Sequence, residues 1–367
     1  MVSCGGWSSD AYWAARVCRE LTRAGHEATL VCRRGTEARV MSRARDEGLE
    51  RIETLTFRTG LHPAADMLDI RTLRAWLQLA DIVHVHRGKE HWLAAIANRL
   101  TSKRRPLVRT RHIVQPIRPH ALNRWLYGKA TDLIVTVSEG IRRQCVAGGL
   151  AHSDRVVALP GGADGERFKP GQDGADLRQE LGLPAGVPLV GLLSGFRVMK
   201  GHAIVVEAAR ILIRSERPFH LLFVGQGPFE AATRESVARV GLGDRVSFLG
   251  FVDDPARVVG SLDIALYPPL ESDGMSRVLF EYLAAGRAVI ASRVGVAAEV
   301  LTDDESALLV PGGDARELAR ALAALLDDGA LRRRLGDSAA ALCHARLTGA
   351  RVTARLLDHY RRLAAGP

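Results

Sequence analysis

The chain has 367 residues, of which 47% are hydrophobic and 25% charged, a composition that excludes disordered and fibrous classes of protein. This length exceeds what one hydrophobic core usually organises, so two domains are expected. The net charge of +10 comes from residues 1–170, which contain 28 Lys and Arg but 17 Asp and Glu. Such a basic surface attracts anions: nucleic acid, an anionic membrane face or a phosphorylated acceptor.

Short β-branched runs alternate with helical-period segments through the first half. Strands are predicted at 28–32, 82–86, 107–111 and 133–137, with helices at 10–24, 70–80 and 91–100. This alternation predicts a parallel sheet with crossover helices, in which ligands bind beyond the carboxyl ends of the strands. Residues 1–4 are short for a central strand, so we expect the native first strand to begin upstream of Met1.

A segment rich in Gly, Pro and Asp, residues 160–188, interrupts the alternation, and a strand at 189–193 restarts it. Further strands are predicted at 221–224, 246–249, 264–267, 288–291 and 307–310, before a final helix at 351–363. The predicted fold class is therefore α/β, with two Rossmann-like, doubly wound parallel-sheet domains. The first covers residues 1–170 and the second residues 171–346.

The segment 267–299, YPPLESDGMSRVLFEYLAAGRAVIASRVGVAAE, contains the most specific motif. A strand ends at Tyr267, an acidic turn follows, and a helix is predicted to open at residues 274–276. Free backbone N–H groups and the dipole at a helix start suit a diphosphate. Asp273 before the helix and Glu281 within it would accept hydrogen bonds from sugar hydroxyls.

This segment resembles the donor site of glycosyltransferase family 4, in which two Glu separated by seven residues precede a small-residue helix end and a PVIA-like strand. Glu281 occupies the second position, which in the family meets the ribose. Asp273 falls at the first position, which meets the transferred sugar, and Glu271, two residues earlier, is the alternative. The resemblance also implies donor contacts from the residues at the helix start, Gly274, Met275, Ser276, Arg277 and Val278.

A second motif, SGFRVMKGH at 194–202, directly follows the strand at 189–193. Arg197 offers a bidentate fork and Lys200 a mobile point charge, a pair suited to neutralising a departing nucleotide diphosphate. The motif resembles the family's Arg and Lys-Gly pair, which implies that both are catalytic. Later strands of the second domain lead to residues where the family binds the nucleotide base mainly through its backbone, namely Gly225, Gly227, Phe251 and Val252.

The first half adds two features that resemble the family. Gly5 and Gly6 precede the helix at 10–24, as a phosphate-approaching turn would. His112 follows the strand at 107–111 and matches the first-domain His that faces the donor sugar. His84 and His86 alternate with valines on one strand and are interpreted as packing or cleft-lining residues, because no Glu or Cys accompanies them at metal-binding spacing.

The resemblance covers nearly the whole chain and implies the GT-B architecture, in which the two domains face each other across a cleft. The first domain is then the acceptor side, the second binds the donor, and the final helix, about 347–367, packs back on the first. The implied activity is retaining transfer of a hexose or related sugar from a nucleotide-sugar to a glycan or lipid-linked acceptor. Cell-envelope polysaccharide, lipopolysaccharide or glycolipid synthesis is the expected setting, with no metal or other cofactor.

Two other functions fit parts of the sequence. A nucleotide-sugar epimerase of the same fold would need its own acid/base set. A nucleic-acid-binding protein would explain the basic first half, but it requires basic side chains interleaved with exposed aromatics. Trp92, Trp125 and Tyr127 lie instead in helical-period segments typical of a core, so no nucleic-acid partner is expected.

The basic clusters at 16–23, 103–105 and 142–143 predict docking on an anionic membrane surface. No apolar run approaches the roughly 20 residues of a membrane-spanning helix, and residues 1–6 lack the features of a secretion signal. We therefore expect a cytoplasmic protein, peripheral on the inner face of the membrane. The five cysteines are scattered and are predicted to be structural thiols.

Overall fold

A computed structural model describes residues 1, 8–36, 38–172, 175–213, 217–272, 274 and 276–366. The chain divides into two compact units, one formed by Met1–Gly161 with Gly349–Pro367 and the other by Gly162–Thr348. Each unit contains parallel β-sheet covered by helices, so the predicted two-domain α/β fold class is confirmed.

The first unit alternates strands and helices. Its elements in chain order are α1 (Ser9–Arg23), β1 (Leu30–Arg33), α2 (Ala38–Asp46), β2 (Ile52–Leu55), α3 (Pro63–Leu79), β3 (Val83–Val85), α4 (Gly88–Arg99), β4 (Leu107–Arg111), α5 (Ala121–Trp125), β5 (Leu133–Thr136), α6 (Glu139–Ala147) and β6 (Val156–Ala158). Strands β3, β4, β5 and β6 form one parallel sheet in that order, and β1 pairs with β2 in a second one. The strands β2 and β6 were not predicted, because both are short and only partly buried.

The second unit contains a six-stranded sheet. Its elements are α7 (Ala175–Glu180), β7 (Leu189–Leu193), α8 (His202–Leu212), β8 (His220–Val224), α9 (Glu230–Arg239), β9 (Val246–Leu249), α10 (Pro255–Ser261), β10 (Ile264–Tyr267), α11 (Arg277–Ala284), β11 (Ala288–Ser292), α12 (Gly295–Val300), β12 (Leu308–Val310), α13 (Ala315–Asp327) and α14 (Gly329–Arg346). The chain then ends in α15 (Gly349–Ala365), which belongs to the first unit.

All six strands of the second sheet run parallel, in the order β12-β11-β10-β7-β8-β9. Successive side chains point to opposite faces, so Leu189 and Leu222 lie in one hydrophobic cluster and Val190 and Leu221 in another. The chain direction across the sheet reverses between β7 and β10. Ligands of doubly wound sheets bind outside the carboxyl ends of the strands at such a switch point.

The boundary between the two units lies after Gly161, and not at residue 170 as predicted. Ala163 and Phe168 are fully buried in the core of the second unit, and the Ala163 N–H donates to the Leu347 carbonyl at 3.0 Å. Residues 162–170 therefore group with the second unit. The Gly-rich composition of this segment predicted a linker, although two of its apolar side chains are buried. A segment belongs to the domain whose core buries its side chains.

The helix α15 packs against α1 in the first unit and buries Leu356 and Tyr360. No helix within the described ranges is both long enough and apolar enough to cross a membrane. Four cysteines are free, and burial raises the pKa of Cys18 and Cys32 to about 11, so both stay protonated thiols at neutral pH. Cys4 lies outside the described residues.

Candidate functional site

The loops after β7 and β10 meet at the switch point of the second sheet. Gly201, with a φ of +78°, ends the turn that contains Lys200, and a Cβ there would lie 2.0 Å from the Pro268 carbonyl oxygen. The Leu270 N–H donates to the Met199 carbonyl at 2.9 Å. The two motifs singled out in the sequence, at 194–202 and 267–299, are thus in direct backbone contact.

The loop after β8 packs against the loop after β7 in the same manner. A Cβ on Gly225 would lie 2.1 Å from the Ser194 carbonyl oxygen, and one on Gly227 would lie 2.5 Å from the Phe196 carbonyl oxygen. The Phe196 N–H donates to the Gln226 carbonyl at 3.2 Å. Both glycines predicted to bind the donor are therefore needed for loop packing, whatever ligand they also approach.

The helix α11 begins at Arg277, so the prediction that residues 274–276 open it was wrong. Gly274 has a φ of +82° and Ser276 is extended, and neither conformation is helical. Ser276 is the N-cap residue, yet its side chain forms no capping hydrogen bond. Tyr282, which the sequence analysis missed, is fully buried and its hydroxyl accepts from the Leu193 N–H at 2.8 Å, so α11 fixes the carboxyl end of β7.

The predicted donor residues follow strands β7 to β10 at one edge of the sheet. Arg197, Glu271 and Phe251 are exposed, whereas Lys200, Arg277, Val252 and Val278 are half-buried. Glu281 is only 3% exposed, and its Oε1 lies 3.0 Å from Nε of Arg277. The remaining predicted residues, Gly5, Gly6, Asp273 and Met275, lie outside the described residues.

His202 is a further residue of this region that the sequence analysis did not single out. It stacks on Phe196 with ring centroids 4.3 Å apart, and both of its ring nitrogens are buried without a partner in the described part of the chain. Burial, followed by the charge of Lys200, lowers the pKa of His202 to about 4. At neutral pH the loop after β7 therefore presents the cations Arg197 and Lys200 beside an uncharged imidazole.

In the first unit, His112 follows β4 and lies beside His86, which follows the neighbouring strand β3. The His86 Nδ1 and His112 Nε2 atoms are 3.0 Å apart. Trp13 of α1 contacts the rings of His84, His86 and His112, with centroid distances of 5.7, 5.3 and 5.8 Å. We call His84, His86 and His112 the histidine cluster.

A charged pair borders the histidine cluster. Arg87 forms two hydrogen bonds with Asp10, one of them 3.1 Å long between Nη2 and Oδ1. Burial acts to raise the pKa of Asp10, but the hydrogen bonds from Arg87 and Ser8 outweigh it and hold the pKa at about 2. The sequence offered no signal for this pair, because the two residues are distant in the chain and neither belongs to a motif.

Burial lowers the pKa of His112 to about 3, while Asp10 opposes the decrease and Arg109 adds to it. Burial also lowers the pKa of His84 and His86 well below the ordinary value of 6.5. All three imidazoles are therefore neutral at pH 7. Because the unfolded chain takes up these protons near pH 6.5, the cluster lowers the stability of the folded unit as the pH falls below that value.

Comparison with known proteins follows the same division of the chain. A model described as Glycosyltransferase Family 4 matches residues 11–167, and one described as Glycosyl transferases group 1 matches residues 187–328. The chain belongs to glycosyltransferase family 4. The family identification made from the motifs is confirmed.

One relative is the D-inositol 3-phosphate glycosyltransferase of Nocardia farcinica, 31% identical over 288 residues that cover 71% of this chain and 62% of that protein. The match thus spans less than two thirds of the relative's length. A solved glycosyltransferase of Rickettsia africae gives a TM-score of 0.87 at 18% identity, covering 100% of this chain and 98% of that one. Anabaena HepE, solved with UDP-glucose, gives 0.81 at 19% identity, covering 98% and 99%. These structures confirm the GT-B fold class.

The contact between Gly201 and Pro268 generates a prediction about stability. We expect Gly201→Ala to destabilise the second unit by about 2–4 kcal/mol, because the methyl group meets a carbonyl oxygen and the left-handed backbone disfavours any Cβ. Calorimetric unfolding measures the change. Gly243→Ala is the matched control, because a Cβ there meets nothing within 4 Å. Equal melting temperatures for the two variants would contradict the close approach.

Proposed function

We propose that this protein is a retaining glycosyltransferase that moves a hexose or related sugar from a nucleotide-sugar donor to an acceptor. The observation that carries the proposal is the meeting of two motifs at the switch point between β7 and β10. One supplies the cations Arg197 and Lys200, and the other leads into α11 with Glu281. Cations and the N-terminal end of a helix at one sheet edge suit a substrate that carries a diphosphate.

Charge development explains why this arrangement favours sugar transfer. As the glycosidic bond loosens, negative charge grows on the phosphate oxygens of the leaving nucleotide. Arg197, Lys200 and the backbone amides at the start of α11 stabilise that charge without a metal ion. Retention requires the acceptor to attack from the face that the diphosphate leaves, and His112 of the first unit is proposed to face the donor sugar.

The donor and acceptor are proposed by chemical class. HepE was solved with UDP-glucose, which makes UDP-hexoses the first donors to test, with GDP- and ADP-sugars alongside. The Nocardia relative is named for a phosphorylated acceptor, and a phosphate-bearing or lipid-linked acceptor of the cell envelope agrees with the basic first unit. A transferase consumes labelled donor only when acceptor is present, whereas the alternative epimerase consumes it alone.

We expect Lys200→Met to lower kcat by about 100-fold or more, because it removes a charge that acts on the leaving diphosphate. Glu281→Gln should instead raise the donor KM by about 10- to 100-fold, because the charge-assisted hydrogen bond to the bound ribose is weakened in ground state and transition state alike. Steady-state kinetics with a radiolabelled donor separate the two effects.

Matched controls for these variants lie elsewhere in the second unit. Lys169→Met removes an exposed lysine, and Glu235→Gln breaks the exposed i,i+4 pair with Arg239. Both should retain the kinetics of the unmodified protein. Wild-type kcat in Lys200→Met would remove the assignment of the diphosphate site.

The acidic turn before α11 gives a separate test of the motif alignment. Asp273→Asn is expected to lower kcat more than Glu271→Gln, because Asp273 stands at the position that meets the transferred sugar. Parallel kinetics of the two variants decide the order. A larger loss in Glu271→Gln would place the sugar contact two residues earlier.

Several cations of the basic clusters in the first unit form ion pairs, which their spacing along the chain did not predict. Arg16 and Arg19 both pair with Glu47, at 2.7 and 3.1 Å, and Arg104 pairs with Asp132 at 2.8 Å. Arg142 pairs with Glu139 at 2.8 Å. These pairs reduce the positive charge that the clusters offer to a membrane, while Lys103 and Arg143 remain exposed.

The outer face of α3 is a better candidate for a membrane-facing surface. Leu61, which precedes the helix, is 91% exposed, and Leu79 at its end is 87% exposed. Between them Met67 and Leu68 are also more than half exposed, and the eleven-residue spacing of Leu68 and Leu79, about three helical turns, places these two on the same face. We call this set the α3 stripe.

Positive charge accompanies the α3 stripe. Arg71 and Arg74 are exposed on the same helix, and no acidic residue occurs from 70 to 80. Of the two acids earlier in the helix, Asp66 pairs with Lys89 at 2.6 Å and Asp69 is buried. An apolar stripe flanked by arginines is complementary to an anionic lipid surface. We therefore propose that the first unit docks there by the α3 stripe.

The docking proposal predicts binding to phosphatidylserine-containing vesicles in preference to phosphatidylcholine vesicles. Arg71→Gln with Arg74→Gln should reduce that preference about 10-fold or more, since each cation near the surface contributes about 1 kcal/mol. Leu61→Ser with Leu68→Ser should weaken binding to a similar degree. Sedimentation with vesicles at low and moderate salt measures both. Leu122→Ser, at an exposed leucine of α5, is the control, and equal binding of the unmodified protein to both vesicle types would refute the proposal.

A further inference from the structure

The imidazole of His112 is held by a second histidine. His86 and His112 follow the neighbouring parallel strands β3 and β4, and their Nδ1 and Nε2 atoms are 3.0 Å apart. The two rings are nearly parallel, with an interplanar angle of 26°. A neutral imidazole has one N–H and one bare nitrogen, so this hydrogen bond requires one ring to donate and the other to accept.

The bond to His86 leaves one nitrogen of His112 for other partners. Nε2 is used by His86, whereas Nδ1 is buried and has no hydrogen-bond partner among the described residues. A buried polar atom without a partner is costly unless a ligand or water satisfies it. The geometry therefore assigns Nδ1 as the atom through which His112 meets a ligand.

His86 is in turn fixed by His84. The two rings stack with centroids 4.6 Å apart and an interplanar angle of 18°. Both nitrogens of His84 are occupied, Nδ1 by the Tyr360 hydroxyl and Nε2 by the Thr110 hydroxyl at 2.6 Å. Tyr360 belongs to α15, so the last helix of the chain helps to hold the histidine cluster in place.

We infer that His86 is a positioning residue for His112. Its hydrogen bond fixes the ring orientation of His112 and couples the tautomer of His112 to that of His86, and thereby decides whether Nδ1 donates to or accepts from the ligand. The surrounding burial keeps the rings neutral, so tautomer exchange through a charged intermediate is disfavoured. The inference rests on the proposed function only for its kinetic readout.

Two amide substitutions of His86 separate this role from simple packing. In His86→Asn the side-chain amide takes the place of the Nδ1 atom and can still bond with His112. In His86→Gln the amide extends to the place of the Nε2 atom, so the polar character is kept but the bond is lost. The two variants are otherwise closely matched in chemistry.

Nitrogen-15 spectra of labelled histidines are expected to show His112 as one neutral tautomer in the unmodified protein and in His86→Asn. In His86→Gln the signals should indicate a mixture of tautomers. With donor and acceptor present, His86→Gln should lower kcat by about 10- to 100-fold with donor KM little changed, and His86→Asn should recover most of the loss. In a His112→Ala background, His86→Gln should have little further effect, since it acts through the ring that is gone.

Each result decides the inference. An unchanged His112 tautomer in His86→Gln overturns it, as does wild-type kcat in that variant or a full additional loss in the His112→Ala background. If the unmodified protein transfers no sugar from any donor tested, the proposed function fails instead. The tautomer measurement then still confirms or refutes the His86–His112 bond, because it needs no substrate.

Discussion

Close backbone contact between loops is the constraint on which the candidate site of the second unit depends. Gly201 and Gly225 each place their Cα where a Cβ would lie about 2 Å from a carbonyl oxygen of a neighbouring loop. Side chains would hold these loops apart, and the cations after β7 would then lose their position relative to α11. Gly201 brings together segments more than 60 residues apart in the chain, and Gly225 brings together segments about 30 residues apart.

The two units differ in the charge of the side chains that lie near the carboxyl ends of their strands. In the second unit Arg197 and Lys200 remain at least partly exposed, so they keep their charge for an anionic ligand. In the first unit burial removes the charge of the histidine cluster, whereas the neighbouring Asp10–Arg87 pair stays ionised. In the proposed reaction the leaving diphosphate develops negative charge, which suits the cations of the second unit. Sugar hydroxyl groups stay neutral, which suits the neutral imidazoles of the first unit.

The fully buried strands β7 and β10 could be predicted from the sequence, because parallel strands covered on both faces are continuous apolar runs. The bounds of β4, β7, β9 and β10 agree residue for residue with the predicted ones. Features set by distant partners could not be found in this way. Arg16 and Arg19 were interpreted as part of a free cationic face because Glu47, with which both pair, lies about 30 residues away. The link between His86 and His112 depends on pairing between strands, which alternation along one strand does not reveal.

At the start of α11 the predicted local structure was wrong, and the donor contacts assigned to this segment stay a prediction. Glycine and serine are common at helix starts, yet the positive φ of Gly274 delays the helix to Arg277. This delay places Arg277 in the first turn and Glu281 one turn later, where the two side chains pair at 3.0 Å. Because Glu281 is almost fully buried, Arg277 supplies the counter-charge without which a buried carboxylate would be unstable. At the proposed donor site this pair would hold the acid in place before a donor binds, which lowers the entropic cost of binding.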